Sequence, residues 1–101
     1  MGEPLAIRSG TTFSVVIPHL NQPDFLARCL ESLSAGARAP DEVIVVDNGS
    51  AVLPEAICAS QGVQLLTEAE PGPGPARNRG VAASSGDILA FIDADCLADP
   101  G

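Results

Sequence analysis

Two carboxylates, Asp93 and Asp95, follow the apolar run of residues 88–92 (ILAFI). Such a run is typical of a strand buried on both faces, and ligands of α/β proteins bind at the carboxyl ends of parallel strands. Two negative charges one residue apart repel each other, and a divalent cation relieves that repulsion. The spacing therefore predicts a metal site with Asp93 and Asp95 as ligands. The alternative is a pair of solubilising side chains at a strand end.

The hydrophobic pattern upstream of this pair predicts four strands separated by three helices. The predicted strands are apolar runs rich in β-branched residues, at 13–17, 42–46, 63–67 and 87–92, the first ended by Pro18. The predicted helices span 25–36 with Asp24 as the cap, 54–60 closed by Gly62, and 76–84. Residues 68–75 include prolines at alternate positions, which predict no regular structure there.

This alternation predicts an α/β fold of Rossmann-like type, a parallel sheet with helices on its faces. We expect one domain over residues 13–101, with residues 1–12 poorly ordered. All strands of a parallel sheet point the same way, so the residues at and after their carboxyl ends share one edge. Those residues are Pro18, Asn21, Asp47, Asn48, Asp93 and Asp95.

The charge balance restricts the class of partner. The formal net charge is -8, from five arginines, no lysine and thirteen acids. A chain with no basic stripe cannot neutralise many phosphates, which argues against nucleic acids and acidic membranes as partners. An anionic ligand such as a nucleotide would need a cation and local backbone dipoles to offset this unfavourable field.

The cysteines and the apolar runs bear on location. Cys29, Cys58 and Cys96 are odd in number and widely spaced, which suggests neither a disulfide framework nor a zinc site and favours a reducing compartment. Because no apolar run approaches about 18 residues, we expect no membrane span. A cytoplasmic location is predicted, and membrane association through regions outside these residues stays open. The sequence does not indicate an oligomeric state.

Four segments lie in order along nearly the whole chain: residues 15–21 (VVIPHLN), 45–50 (VVDNGS), 72–80 (GPGPARNRG) and 86–95 (GDILAFIDAD). Together they resemble family 2 glycosyltransferases of the GT-A fold, in their N-terminal, nucleotide-sugar-binding half. The resemblance implies metal-assisted, inverting transfer of a sugar from a nucleotide diphosphate donor, a UDP-sugar, to an unidentified carbohydrate, lipid or protein acceptor. It also implies a domain truncated after its fourth strand. The acceptor pocket and the general base would lie elsewhere, and the 101 residues alone would lack turnover.

The same resemblance assigns roles to the acidic residues. It puts the first carboxylate, Asp93, mainly on the ribose and the second, Asp95, on a Mg or Mn ion that bridges the diphosphate. Asp47 would accept a hydrogen bond from a base N–H of the uracil ring. The alternative for Asp47 is an Asx-turn residue before Asn48 and Gly49.

The remaining predicted nucleotide-binding residues are polar or shape a loop. The resemblance puts Pro18 and Asn21 beside the base and ribose, Asn48 next to Asp47 in the same site, and Arg77 with Asn78 near the nucleotide. Asn21 could instead be an ordinary helix-capping residue, and Arg77 could form a salt bridge with one of the acids.

The chain departs from the family pattern at two positions. Leu20 stands where relatives often have an aromatic residue beside the base, so stacking from this position is absent. Cys96 stands where many relatives have a further Asp, so the ion has one fewer potential carboxylate. His19 is the only histidine, and a structural or loop role is favoured over catalysis.

Two other functions are compatible with parts of the pattern. A strand followed by DxD also opens the haloacid-dehalogenase phosphohydrolases, where the first Asp is the nucleophile. There the motif begins the domain and precedes Gly-Thr, whereas here it follows three predicted strands and precedes Cys96-Leu97. The other alternative is a non-catalytic, nucleotide-binding fragment.

Overall fold

The computed structural model describes residues 11–36 and 39–92. Four strands alternate with three helices in the order β1 (Phe13–His19), α1 (Pro23–Ala35), β2 (Glu42–Asp47), α2 (Glu55–Gln61), β3 (Gln64–Thr67), α3 (Pro73–Ala83) and β4 (Ile88–Phe91). The strands form one sheet in the order β3-β2-β1-β4, and every neighbouring pair is parallel. The predicted α/β class is confirmed.

The strand order reverses next to β1. The chain passes from β1 through β2 to β3 on one side of the sheet and then returns to place β4 on the other side of β1. In open α/β sheets the ligand crevice forms at such a reversal, outside the carboxyl ends of the strands. The crevice is therefore expected beyond the ends of β1 and β4.

The hydrophobic core lies on both faces of the sheet, because alternate residues of β1 and β2 point to opposite sides. On one face, strand residues such as Val15 and Val45 pack with Leu26 of α1 and Cys58 of α2. The opposite face packs against α3 through a second buried cluster, Val16, Ile44, Val46 and Ala76. Burial on both faces explains why β2 is a continuous apolar run.

Gly80 of α3 allows this helix to lie close to the sheet. A Cβ atom built on Gly80 would overlap both methyl groups of Val16. Only a residue without a side chain fits at this distance.

Pro18 does not end β1 as predicted. The strand continues to His19, and Pro18 pairs with Val46 in the register of β1 with β2. The carbonyl of Val16 accepts the Ile92 N–H on the β4 side, whereas the carbonyl of His19 accepts the Asn48 N–H on the β2 side. Alternate residues of a strand direct their backbone groups to the same side, so the N–H that Pro18 lacks would face the β4 side, as the Val16 carbonyl does. The hydrogen bonds between β1 and β2 therefore stay intact.

Two helix starts also differ from the prediction. The N-cap of α1 is Gln22 rather than Asp24, which lies in the first turn, where an acidic side chain suits the helix dipole. Helix α3 begins at Pro73 rather than Ala76, because the first turn of a helix needs no N–H from proline. None of the helices within the described ranges is long and apolar enough to cross a membrane.

The amino edge of the sheet is tied together by hydrogen bonds between polar side chains. The hydroxyl of Ser14, which is fully buried, donates to Glu42 at 2.8 Å, and the same carboxylate accepts the Ser85 N–H at 2.9 Å. Asp87 accepts the backbone N–H of Thr12 at 3.0 Å. Residues 1–10 of the terminus predicted to be poorly ordered lie outside the described residues.

Candidate functional site

A buried polar pair, His19 and Asp47, stands at the carboxyl ends of the two central strands. The register of β1 with β2 places these residues side by side, and the exposed fraction is 3% for His19 and 1% for Asp47. Nδ1 of His19 lies 2.8 Å from Oδ1 of Asp47, and Nε2 accepts the Gln22 N–H at 3.1 Å. A ring nitrogen that accepts carries no proton, so the proton is on Nδ1 and is donated to Asp47. The ring is a neutral imidazole in one tautomer.

The carboxylate of Asp47 accepts four hydrogen bonds within the chain. Oδ1 accepts from His19 and from the Ser50 hydroxyl at 2.6 Å, while Oδ2 accepts the N–H groups of Gly49 at 3.1 Å and Ser50 at 2.8 Å. Burial alone would raise the pKa of Asp47, but the bonds from Ser50, His19 and Gly49 outweigh it and lower the pKa below its usual value.

These contacts bear on the role predicted for Asp47. The bond from the Gly49 N–H to Oδ2 has the spacing of an Asx turn, which was the alternative for this residue. A carboxylate offers about four acceptor positions, and all four are used, three by the loop after β2 and one by His19. A base N–H would have to displace one of these donors, so the contact between Asp47 and uracil stays a prediction.

Asn21 joins the loop after β1 to the loop after β2. Its N–H donates to the Ser50 hydroxyl at 2.8 Å, and its Oδ1 accepts the Ala51 N–H at 2.9 Å. Its φ of 53° lies in the left-handed region, which asparagine tolerates better than most residues. Asn21 is not the helix cap, which is Gln22. The two loops therefore form one connected rim.

Asn48 holds the segment that leads into α3. Its Nδ2 donates to the carbonyls of Glu68 at 2.9 Å and Glu70 at 2.8 Å, and its Oδ1 accepts the Gly72 N–H at 2.8 Å. Both N–H groups of the amide are thus used inside the chain. Gly72 has a φ of 110°, which a residue with a side chain rarely adopts. The predicted nucleotide contact of Asn48 would involve its remaining acceptor capacity.

The start of α3 offers fewer amides to an anion than its sequence position suggests. Of its first four N–H positions, residues 72–75, two are prolines, and the Gly72 N–H is bound to Asn48. Gly74 supplies the remaining amide of this set. The attraction of this helix start for negative charge therefore depends on one free N–H position and the helix dipole.

Arg77 lies near the end of β4. Its guanidinium carbon is 6.0 Å from the centre of the Phe91 ring, and Phe91 is two residues before Asp93 in the sequence. A cation at this place is compatible with the predicted role near the nucleotide. Asn78, the next residue of α3, is exposed.

The predicted metal ligands Asp93 and Asp95 lie outside the described residues, as does Cys96. Within residues 11–36 and 39–92, no group of three or more His, Cys, Asp or Glu side chains could hold a metal ion. A donor set of carboxylate oxygens suits Mg or Mn by its chemistry, since hard oxygen ligands are those that these ions prefer. The metal site therefore stays a prediction.

Ser50 is the main site residue that the sequence reasoning missed. Its hydroxyl donates to Asp47 and accepts from Asn21, so it connects the two loops. The signal was present in the spacing Asp-x-x-Ser, in which the acidic side chain can bond to the backbone and hydroxyl three residues later. The pairing of His19 with Asp47 depends on strand register, which the sequence does not show.

Curated proteins that are similar to this chain include glycosyltransferases. An uncharacterised glycosyltransferase of Mycobacterium tuberculosis is 39% identical over 93 residues, which are 92% of this chain and 41% of that protein. Glucosyl-3-phosphoglycerate synthase of the same organism is 35% identical over 106 residues, covering 96% of this chain and 33% of that protein. The chain thus spans about a third to two-fifths of the length of these relatives.

Solved structures of that synthase share the fold. The complex with Mn²⁺, uridine diphosphate and glucosyl-3-phosphoglycerate matches with a TM-score of 0.72 and 35% identity, over 85% of this chain and 34% of that one. The complex with Mg²⁺ and uridine diphosphate matches with a TM-score of 0.74 and 35% identity, over 88% and 35%. The family model described as Glycosyl transferase family 2 matches residues 14–101. The chain belongs to glycosyl transferase family 2.

Proposed function

We propose that the protein transfers a sugar from a UDP-sugar to an acceptor, with Asp93 and Asp95 binding Mg or Mn at the diphosphate. The main support is the connected rim at the carboxyl edge of β1 and β2, formed by Asn21, Asp47 and Ser50. This rim lies within segments that match a synthase crystallised with uridine diphosphate and a divalent metal. The family match favours the transferase over the phosphohydrolase.

The position of each residue indicates its proposed role. The loops after β1 and β2, held at a fixed separation from each other, would bind the base and ribose. Asn48 would keep the start of α3 in place beside these loops. Arg77 would add positive charge near the end of β4, which offsets part of the negative field of the chain. When bound, the cation would stabilise negative charge on the departing nucleoside diphosphate as a Lewis acid.

The acceptor and the general base are not assigned to residues of this chain. Because the chain spans a minor part of its relatives, we expect the acceptor site to involve further residues of the natural protein. Phosphoglyceric acid, which is present in a crystal structure of the related synthase, is a reasonable first acceptor to test. Carbohydrate, lipid and protein acceptors stay open, and the cytoplasmic location stays a prediction from the sequence.

Binding of UDP to the full-length natural protein tests the proposal. Calorimetry with Mn²⁺ should show binding that EDTA abolishes, and Asp95→Asn should weaken it at least about tenfold, as loss of even an indirect metal contact does. Glu31→Gln removes one charge from the exposed face of α1 and should leave UDP affinity unchanged. UDP binding that ignores both EDTA and Asp95→Asn would refute the metal site. Absence of binding would refute the donor assignment.

A further inference from the structure

The imidazole of His19 makes two short hydrogen bonds of opposite kind, one to the end of β2 and one to the loop after β1. Nδ1–H donates to Asp47 at the end of β2, with the Ser50 hydroxyl oxygen 3.4 Å from the same nitrogen, and Nε2 accepts from the backbone of Gln22 in the loop after β1. A neutral imidazole is the only side chain that has one donor and one acceptor at fixed positions on a rigid ring. The ring therefore sets the distance between the two loops.

His19 cannot contact a ligand in this arrangement. It is 3% exposed, and both ring nitrogens are occupied. Of its two partners, however, Asp47 is part of the rim and Gln22 is next to it in the chain. Gln22 follows Asn21, and Asp47 holds Ser50, which in turn accepts the Asn21 N–H. A change at His19 should thus reach the rim through residues on both sides.

We infer that His19 is a positioning residue for nucleotide binding, and that its neutral ring fixes the separation of the two loops that border the base. This inference rests on the proposed function, since it concerns the same UDP site. It assigns to His19 an effect on UDP affinity and none on metal binding. The bond to Asp47 carries most of the effect, because it orients the buried carboxylate that organises the second loop.

Three variants of His19 separate the two hydrogen bonds. In His19→Asn, the amide nitrogen falls close to the place of Nδ1 and keeps the donor to Asp47. In His19→Gln, the longer side chain reaches the place of Nε2 and leaves Asp47 without that donor. His19→Ala removes both bonds. Val43→Ala, at the start of β2 and packed against the core, is the matched control for a general loss of stability.

The measurement is the UDP dissociation constant of the full-length protein in the presence of Mn²⁺, well below the unfolding transition. We expect His19→Ala to weaken UDP binding about tenfold, His19→Asn to remain within about threefold of the native protein, and Val43→Ala to remain within about twofold. If His19→Ala does not fold, the comparison of His19→Asn with His19→Gln tests the inference. UDP should then bind at least about threefold more tightly to His19→Asn than to His19→Gln.

Equal UDP affinity in folded His19→Ala and native protein would overturn the inference, as would equal affinity of the Asn and Gln variants. A purely structural role would lower the melting temperature of His19→Ala and Val43→Ala alike without a separate change in UDP affinity. Nitrogen-15 spectra of the imidazole, assigned by comparison with His19→Asn, should show a proton on Nδ1, and a proton on Nε2 would also overturn it. If the native protein binds no UDP, the proposed function fails instead.

Discussion

Replacing Asp47 by Asn tests whether this carboxylate organises the site loops. Asparagine has the same shape but offers one oxygen and one NH₂ group, so it cannot accept four hydrogen bonds. If the NH₂ replaces Oδ2, it faces the N–H groups of Gly49 and Ser50. If it replaces Oδ1, it faces the Nδ1–H of His19 and the Ser50 hydroxyl. A proton shift to Nε2 of His19 would oppose the Gln22 N–H. Each orientation leaves donors facing donors.

The size of the effect follows from the number of bonds lost. Asp47 is 1% exposed, so water cannot readily replace the lost acceptors. At least two hydrogen bonds to a charged group are lost, and each contributes about 1.5–3 kcal/mol, which gives a decrease of about 3–6 kcal/mol in the free energy of unfolding. This is a large part of the roughly 5–15 kcal/mol that stabilises a typical domain.

Urea unfolding followed by circular dichroism at pH 7 measures this loss in the full-length protein. Glu31→Gln on the exposed face of α1 removes the same charge and should change the free energy of unfolding by less than about 0.5 kcal/mol. A loss below about 1 kcal/mol for Asp47→Asn would show that the carboxylate does not hold four donors.

Three further predictions concern other parts of the fold. Gly80→Ala should lower the free energy of unfolding by about 1–3 kcal/mol in the same urea assay, because the added methyl group overpacks against β1. Gly74→Ala has open space around it and should not lower the free energy of unfolding, and equal effects of the two variants would contradict the close packing of α3. Asn48→Ala should speed limited proteolysis within residues 68–72 about tenfold, and an unchanged cleavage rate would contradict the bonds that hold this segment. The pKa of Glu42 is lowered by hydrogen bonds from Ser85 and Ser14, and the pKa of Asp87 is lowered by hydrogen bonds from Thr12. The contribution of these two carboxylates to stability is therefore present above the usual carboxyl pKa of about 4 and is lost as pH falls below it. The urea midpoint should therefore drop between pH 5 and pH 3, and a constant midpoint would exclude this contribution.

The elements of the fold could be predicted because strands and helices have local signals. The β-branched run that became β2 and the helical spacing of Leu26 and Leu30 both indicate burial from composition and period alone. Pro18 was misjudged because a proline ends a strand only if its missing N–H faces a partner, and the parity of β1 is a property of the assembled sheet. The start of α3 was misplaced because prolines are unfavourable inside a helix but not in its first turn.

The site could be predicted only in outline. Parallel strands bring their carboxyl ends together, so the gathering of Asn21, Asp47 and Asn48 at one edge followed from the order of elements. Their hydrogen bonds did not, because the bond between His19 and Asp47 joins residues 28 positions apart and depends on register. The left-handed turn at Asn21 likewise has no unique sequence signal.

A crystal structure of the full-length natural protein with UDP and Mn²⁺ would show where the nucleotide and the ion bind. We expect the uracil against the rim formed by Asn21, Asp47 and Ser50, with the diphosphate toward the end of β4. We also expect a carboxylate oxygen of Asp95 in direct contact with the ion, within about 2.6 Å. A nucleotide at the amino edge of the sheet would rule out the proposed nucleotide site, and an ion that Asp95 does not touch would rule out the proposed metal site.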